Sequence, residues 1–125
     1  MRLLLDTHAY LWWLADDPKL SARARDGMAD PAAIVYVSAA SVWEISIKTQ
    51  LGKLEFEGDP VKEIWSNGFV ELPMTAMHAD HAGRLPRHHD DPFDRMLIAQ
   101  AKLEQLQLVS TDSVFESYSV SLLPA

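Results

Sequence analysis

"HHDDPFDRMLIAQAKLEQLQLVSTD", residues 88–112, reads as one helix running into one strand. Asp91 followed by Pro92 marks a helix start, because an aspartate caps the first free N–H groups and proline suits the first helical position. Leu97, Ile98 and Ala101 then recur at helical spacing, and "QLQLVST" shifts to the apolar content of a strand that ends at Asp112. Carboxylates therefore stand at the start of the helix and at the end of the strand after it.

The same alternation extends outward. Arg2 to Leu5 reads as a short buried strand ending at Asp6, with a helix through "HAYLWWLAD". "LSARARDGMADP" is a polar helix closed by Asp30 and Pro31, and "AIVYVS" suits a central strand. A helix is expected from Ser41 to about Leu51, stopped by Gly52. Asp59 before Pro60 caps another helix, which runs to Gly68. "FVELP" gives a third strand and "TAMHADHAGRL" a helix, and beyond Asp112 a short "SVFESY" segment leads into a last strand, "VSLLP". This order predicts an α/β fold, a parallel sheet of about five strands sandwiched by helices, in a single domain over residues 1–125. Ligands of such sheets bind outside the carboxyl ends of the strands.

Bulk properties narrow the chemistry. The chain has no cysteine, which excludes disulfides, thiolate metal sites and thiol nucleophiles and leaves carboxylates, histidines and hydroxyls. A net charge of −7 argues against a broad electropositive nucleic-acid surface. A carboxylate site that works with bound cations is compatible with that charge, because its working charge includes the metal. No apolar run reaches the roughly 20 residues that cross a bilayer, so no membrane association is expected and a cytoplasmic location is.

Each acid has an ordinary use as well as a chemical one. Asp6 and Asp112 end predicted strands and are placed to cap the next helical segment. If those strands are parallel neighbours, two anions meet at one edge and repel unless neutralised. Asp91 is the better N-cap. Asp94 falls in the first helical turn with apolar neighbours, where a carboxylate needs a partner or a metal. Glu44 comes three residues after Ser41, at capping-box spacing, with Lys48 one turn on as an ion-pair partner. Taken together, Asp6, Glu44, Asp94 and Asp112 come at strand ends and helix starts that can converge, and converging carboxylates call for hard cations such as Mg²⁺ or Mn²⁺. Thr7 and Ser38 are candidate supporting hydroxyls, and Lys48, Arg84, Arg87 and Arg95 candidate phosphate contacts. The pairs His78/His81 and His88/His89 have no local third ligand and read as surface or packing residues. Trp12, Trp13, Trp43, Trp65 and Phe69 read as core or partner-packing aromatics.

"LLLDTHAYLWWL", "SAASVWEISIKTQLGKL", "HHDDPFDRMLIAQA" and "LVSTD" together resemble the PIN domain, and specifically VapC-type toxins of bacterial toxin–antitoxin systems. The resemblance spans nearly the whole chain. It implies an acidic metal site of Asp6, Glu44, Asp94 and Asp112, supported by Thr7 and Ser38 and more remotely by Asp91. It also implies a Mg²⁺- or Mn²⁺-dependent endoribonuclease, with one or two ions per site, acting on RNA as a toxin that inhibits translation or growth. The implied partners are a cognate VapB-like antitoxin and a second copy of the chain, in a toxin–antitoxin hetero-oligomer. Two other classes fit the acid pattern: a non-catalytic module binding a basic partner, and a metal-dependent DNA nuclease.

Overall fold

Leu3, Leu4 and Leu5 are all fully buried, which a strand achieves only when both faces of its sheet are covered. In the computed structural model, which describes residues 1–125, these leucines belong to β1 (Arg2–Leu5). The chain continues through α1 (Thr7–Leu14), α2 (Ala22–Ala29), β2 (Ile34–Ser38), α3 (Ala39–Gln50), α4 (Pro60–Ser66) and β3 (Val70–Leu72). It ends with α5 (Ala76–Arg84), α6 (Pro92–Glu104), β4 (Gln107–Ser110), a 3-10 turn (Ser113–Tyr118) and β5 (Leu122–Pro124). All neighbouring strands are parallel, in the order β3-β2-β1-β4-β5. This is the α/β architecture expected from the alternation of elements, a five-stranded parallel sheet flanked by helices.

Strand alternation divides the core into two apolar layers. Leu3, Leu5, Val35, Val37 and Val109 face one side, where they pack with Tyr10, Ile45 and Ile64 from the helices. Leu4 and Leu108 face the other, against Leu97 and Ile98 of α6 and Phe115 and Tyr118 of the 3-10 turn. Burying a leucine or isoleucine side chain contributes about 1.5–3 kcal/mol, so the central strands anchor the whole sheet.

Strand order reverses between β1 and β4: the chain leaves β1 to build β2 and β3 on one side, then returns to build β4 and β5 on the other. Leu5 pairs with Val109, and the Asp6 N–H donates to the Val109 carbonyl at 3.1 Å, so the carboxyl ends of β1 and β4 lie side by side. Such a reversal opens a crevice beyond the strand ends.

Local signals set most boundaries. Asp59 and Asp91 cap α4 and α6, each with proline at the first turn. α3 departs from expectation, beginning at Ala39 rather than Ser41. Its N-cap is Ser38, whose Oγ accepts from the Ala40 N–H at 3.0 Å. β2 passes into α3 without a loop, so Ser41 lies inside the helix and no Ser41–Glu44 capping box forms. The aromatics also divide: Phe69 is buried and Trp12 and Trp13 are half-buried against the core, but Trp43 and Trp65 are exposed. On the far side, buried His78 ties α5 to α6. Its Nδ1 accepts from the Thr75 N–H, leaving Nε2 to donate to Glu104 at 3.0 Å. No helix is long and apolar enough to cross a membrane.

Candidate metal centre

Asp6 is both a helix cap and a wall of the β1/β4 crevice. Its Oδ1 accepts from the Ala9 N–H at 2.7 Å and its Oδ2 from the Ser110 hydroxyl at 2.6 Å. Burial pushes its carboxyl above the usual 3.8, and the nearby Asp112 adds to the shift. The Ser110 and Ala9 hydrogen bonds and His8 oppose it. Asp112 caps the 3-10 turn through Oδ1, which accepts from the Val114 N–H at 3.0 Å, and its own N–H donates to Ser110 Oγ at 3.0 Å. Ser110 thus links the two acids. It escapes notice in the sequence because a serine at a strand end is ordinary until the parallel neighbour is known.

Glu44 reaches the crevice from α3 with both oxygens engaged. Thr7 donates to Oε1 at 2.6 Å, with Ser41 Oγ 3.1 Å from the threonine hydroxyl, and Lys48 donates to Oε2 at 2.7 Å. That hydrogen bond is the largest influence raising the Lys48 ammonium above its ordinary 10.5; Asp91 and Asp94 push the same way. Lys48 is therefore a fixed positive charge beside the acids.

The start of α6 supplies the rest. Asp91 Oδ1 accepts from the N–H groups of Phe93 and Asp94, at 2.8 and 3.2 Å. That cap leaves Asp94 in the first turn, where its Oδ2 meets His89 Nε2 at 2.8 Å. Burial, joined by the charges of Asp91 and Glu44, pushes the Asp94 carboxyl up to about 6 despite the opposing contact with His89. Ligand atoms of His89, Asp91 and Asp94 lie within 4.8 Å of one another.

Asp6, Thr7, Glu44, Lys48, His89, Asp91, Asp94 and Asp112 line one cavity of about 490 Å³, together with His8, Trp12 and Thr111, while Ser41 and Ser110 stand behind it. Five carboxylates border it, from Asp6, Glu44, Asp91, Asp94 and Asp112, against one lysine. Such a cluster holds its charges only with protons or cations between them. The carboxylate oxygens fit a hard divalent ion of the Mg²⁺ or Mn²⁺ kind, with the His89 imidazole hydrogen-bonded to Asp94 behind them.

Comparison with known proteins bears on the fold that carries this cavity. A family model described as the PIN domain matches residues 3–120. The chain belongs to the PIN domain family. No curated protein matches it. Among solved structures, this PIN domain is similar to VapBC2 from Rickettsia felis bound to a DNA fragment from their promoter, with TM-score 0.73, 14% identity and 98% of each chain covered. It is also similar to FitAcB from Neisseria gonorrhoeae, with TM-score 0.63, 20% identity and coverage of 98% of this chain and 96% of that one. A toxin–antitoxin complex from Klebsiella pneumoniae gives TM-score 0.68, 12% identity and coverage of 98% and 96%. At these identities the likeness concerns the fold.

Within this PIN domain the other predicted residues separate. Thr7 and Asp91 line the cavity, whereas Ser38 is fully buried as the cap of α3 and does not. Among the basic residues only Lys48 lines it. Arg84 pairs with Asp80 at 3.0 Å. Arg95, expected as a phosphate contact, does not line the cavity; its guanidinium donates to the carbonyls of Ala82, Gly83, Leu85, Pro86 and His89. His89, set aside in the sequence as half of a surface pair, is brought to Asp94 by the turn that starts α6.

Proposed function

We propose that this PIN domain is a Mg²⁺- or Mn²⁺-dependent endoribonuclease, the toxin of a toxin–antitoxin pair, working as a homodimer. The observation that carries this reading is the convergence of Asp6, Glu44, Asp94 and Asp112 in one cavity where the strand order reverses. Those four are the residues that would hold one or two cations. When bound, such a cation neutralises charge on a phosphodiester and eases ionisation of water.

The chain's own residues organise the rest. Ser110 and the Ala9 N–H aim Asp6, and Thr7 and Lys48 each hold one oxygen of Glu44. His89 engages Oδ2 of Asp94 and leaves Oδ1 free. Lys48, the one lysine on the cavity, is the group we assign to the substrate phosphate. Beside the cavity, and sharing His8 and Trp12 with it, runs a groove of about 470 Å³ lined by apolar Leu11, Leu14 and Phe56 and by acidic Glu55, Glu57 and Glu63. An antitoxin segment with apolar anchors and basic flanks fits that groove.

The test is cleavage of a mixed single-stranded RNA pool, and of matched DNA, by antitoxin-free protein with Mg²⁺, Mn²⁺ or EDTA, beside Asp94→Asn. Cleavage of RNA that requires both the metal and Asp94 is expected. Cleavage of DNA alone would make the chain a DNA nuclease, and a folded protein inert on both would leave the acid cluster as a binding surface for a basic partner.

A further inference from the structure

Arg95 lies one residue beyond Asp94 yet turns away from the acidic cavity. Its Nη1 donates to the carbonyls of Pro86 and His89, each at 3.1 Å, and its Nη2 to those of Ala82 at 2.8 Å, Leu85 at 2.9 Å and Gly83 at 3.4 Å. Three of these oxygens belong to the last turn and cap of α5, where only the Ala82 carbonyl has a backbone partner, the Leu85 N–H at 3.4 Å, and where a helix end favours a cation. The other two belong to the loop that carries the chain from α5 to α6. Tyr118 fastens the same loop from below: its hydroxyl donates to the Pro86 carbonyl at 2.9 Å and accepts from the His88 N–H at 3.1 Å. Residues 85–91 have no helix or strand of their own, so these contacts set the path of the loop. At its end His89 meets Asp94 at 2.8 Å.

We propose that Arg95 is a positioning residue: it gathers the end of α5 and the adjoining loop around one guanidinium and so holds the His89 imidazole against the Asp94 carboxylate. This rests on the reading of the cavity as a divalent-cation site. A carboxylate held by an outer partner has one orientation to offer a cation, and loss of such a partner typically lowers metal affinity about 10–100-fold. The planar five-donor fork is what gathering these carbonyls requires. A lysine in its place keeps the charge but cannot span carbonyls from two elements.

The experiment is a double-mutant cycle read by calorimetric titration of Mn²⁺ into wild type, Arg95→Lys, His89→Ala and the double variant, with Tyr118→Phe as a milder loosening of the loop and circular dichroism to show that each is folded. Arg95→Lys and His89→Ala should each weaken Mn²⁺ binding about tenfold, the double variant should be no more than about twofold weaker than His89→Ala, and Tyr118→Phe should weaken binding in the same direction by less. Wild-type Mn²⁺ affinity in Arg95→Lys would overturn the inference, all the more if its KM for RNA rose, since that pattern belongs to a phosphate contact. Additive losses in the double variant would overturn it too, by making Arg95 act independently of His89. A wild-type protein that binds no Mn²⁺ would remove the cation reading itself, and the inference with it.

Discussion

At the carboxyl edge of the sheet, β1 and β4 run into Asp6, Ser110 and Asp112; at the amino edge the same two strands begin with Arg2 and Gln107. The amino edge carries the larger cavity, about 720 Å³ against 490 Å³. Its lining, which includes Arg2, Lys102, Gln105, Gln107, Ser119 and Ser121, contains no carboxylate. Helix direction accounts for the sorting. α1 and α6 start at the carboxyl edge, where their free N–H groups favour anions, and α6 ends at the amino edge, where its carbonyls favour cations. Arg2 accordingly donates to the Glu104 carbonyl at 2.9 Å. The acid cluster tracks the strand reversal and the helix starts, and cavity size does not locate it.

The strongest way to break this contrast is to remove a carboxylate from the acidic edge. Asp6→Asn or Asp94→Asn should slow RNA cleavage by about a hundredfold or more, the scale of several kcal/mol of lost charge stabilisation. Circular dichroism should show either variant folded, and near-normal cleavage by both would empty the edge of its assigned role.

Thr7→Val probes the support beneath the acids. It removes the buried hydroxyl that donates to Glu44 at 2.6 Å and should destabilise the protein by about 1–3 kcal/mol in urea melts. An unchanged melt would mean that Glu44 is held by Lys48 alone.

A smaller effect should appear with pH. Asp6 and Asp94 have folded-state carboxyls pushed above 3.8, so the folded chain binds protons more readily than the unfolded one. Their contribution to stability is complete below 3.8 and is lost as pH rises through the folded value, about 6 for Asp94. Cation-free protein should therefore melt at a higher temperature at about pH 5 than at about pH 7.5, and Asp94→Asn should flatten that difference. A melting temperature that falls on acidification over this range would contradict the sign. The smallest effect belongs to the other edge: Lys102→Ala should leave cleavage within about twofold and stability within about 0.5 kcal/mol of wild type.

The features visible in the sequence are those made by neighbours along the chain. Asp91-Pro92 and Asp59-Pro60 announce helix starts, apolar "RLLL" and "IVYV" announce covered strands, and strand-to-helix alternation announces the parallel sheet. The placement of Asp6 and Asp112 at strand ends also comes from local pattern, and the parallel pairing of β1 with β4 then sets them at one edge. The features that escaped depend on chain segments meeting in space. Ser38 and Ser41 are equally good caps on paper, and the choice falls to Ser38 because β2 runs directly into α3. His89 gains its meaning only when the first turn of α6 brings Asp94 back to it. The partners of Arg95 are backbone carbonyls, which leave no mark in side-chain identity.

The most direct test is to locate Mn²⁺ by its anomalous scattering in crystals of the purified protein, free of any partner chain, grown with the ion near neutral pH. The ion should lie among the carboxylates of Asp6, Glu44, Asp94 and Asp112 and should be absent from crystals of Asp94→Asn. A well-ordered carboxyl edge with no ion, or Mn²⁺ bound only elsewhere on the molecule, would contradict the cation-site reading.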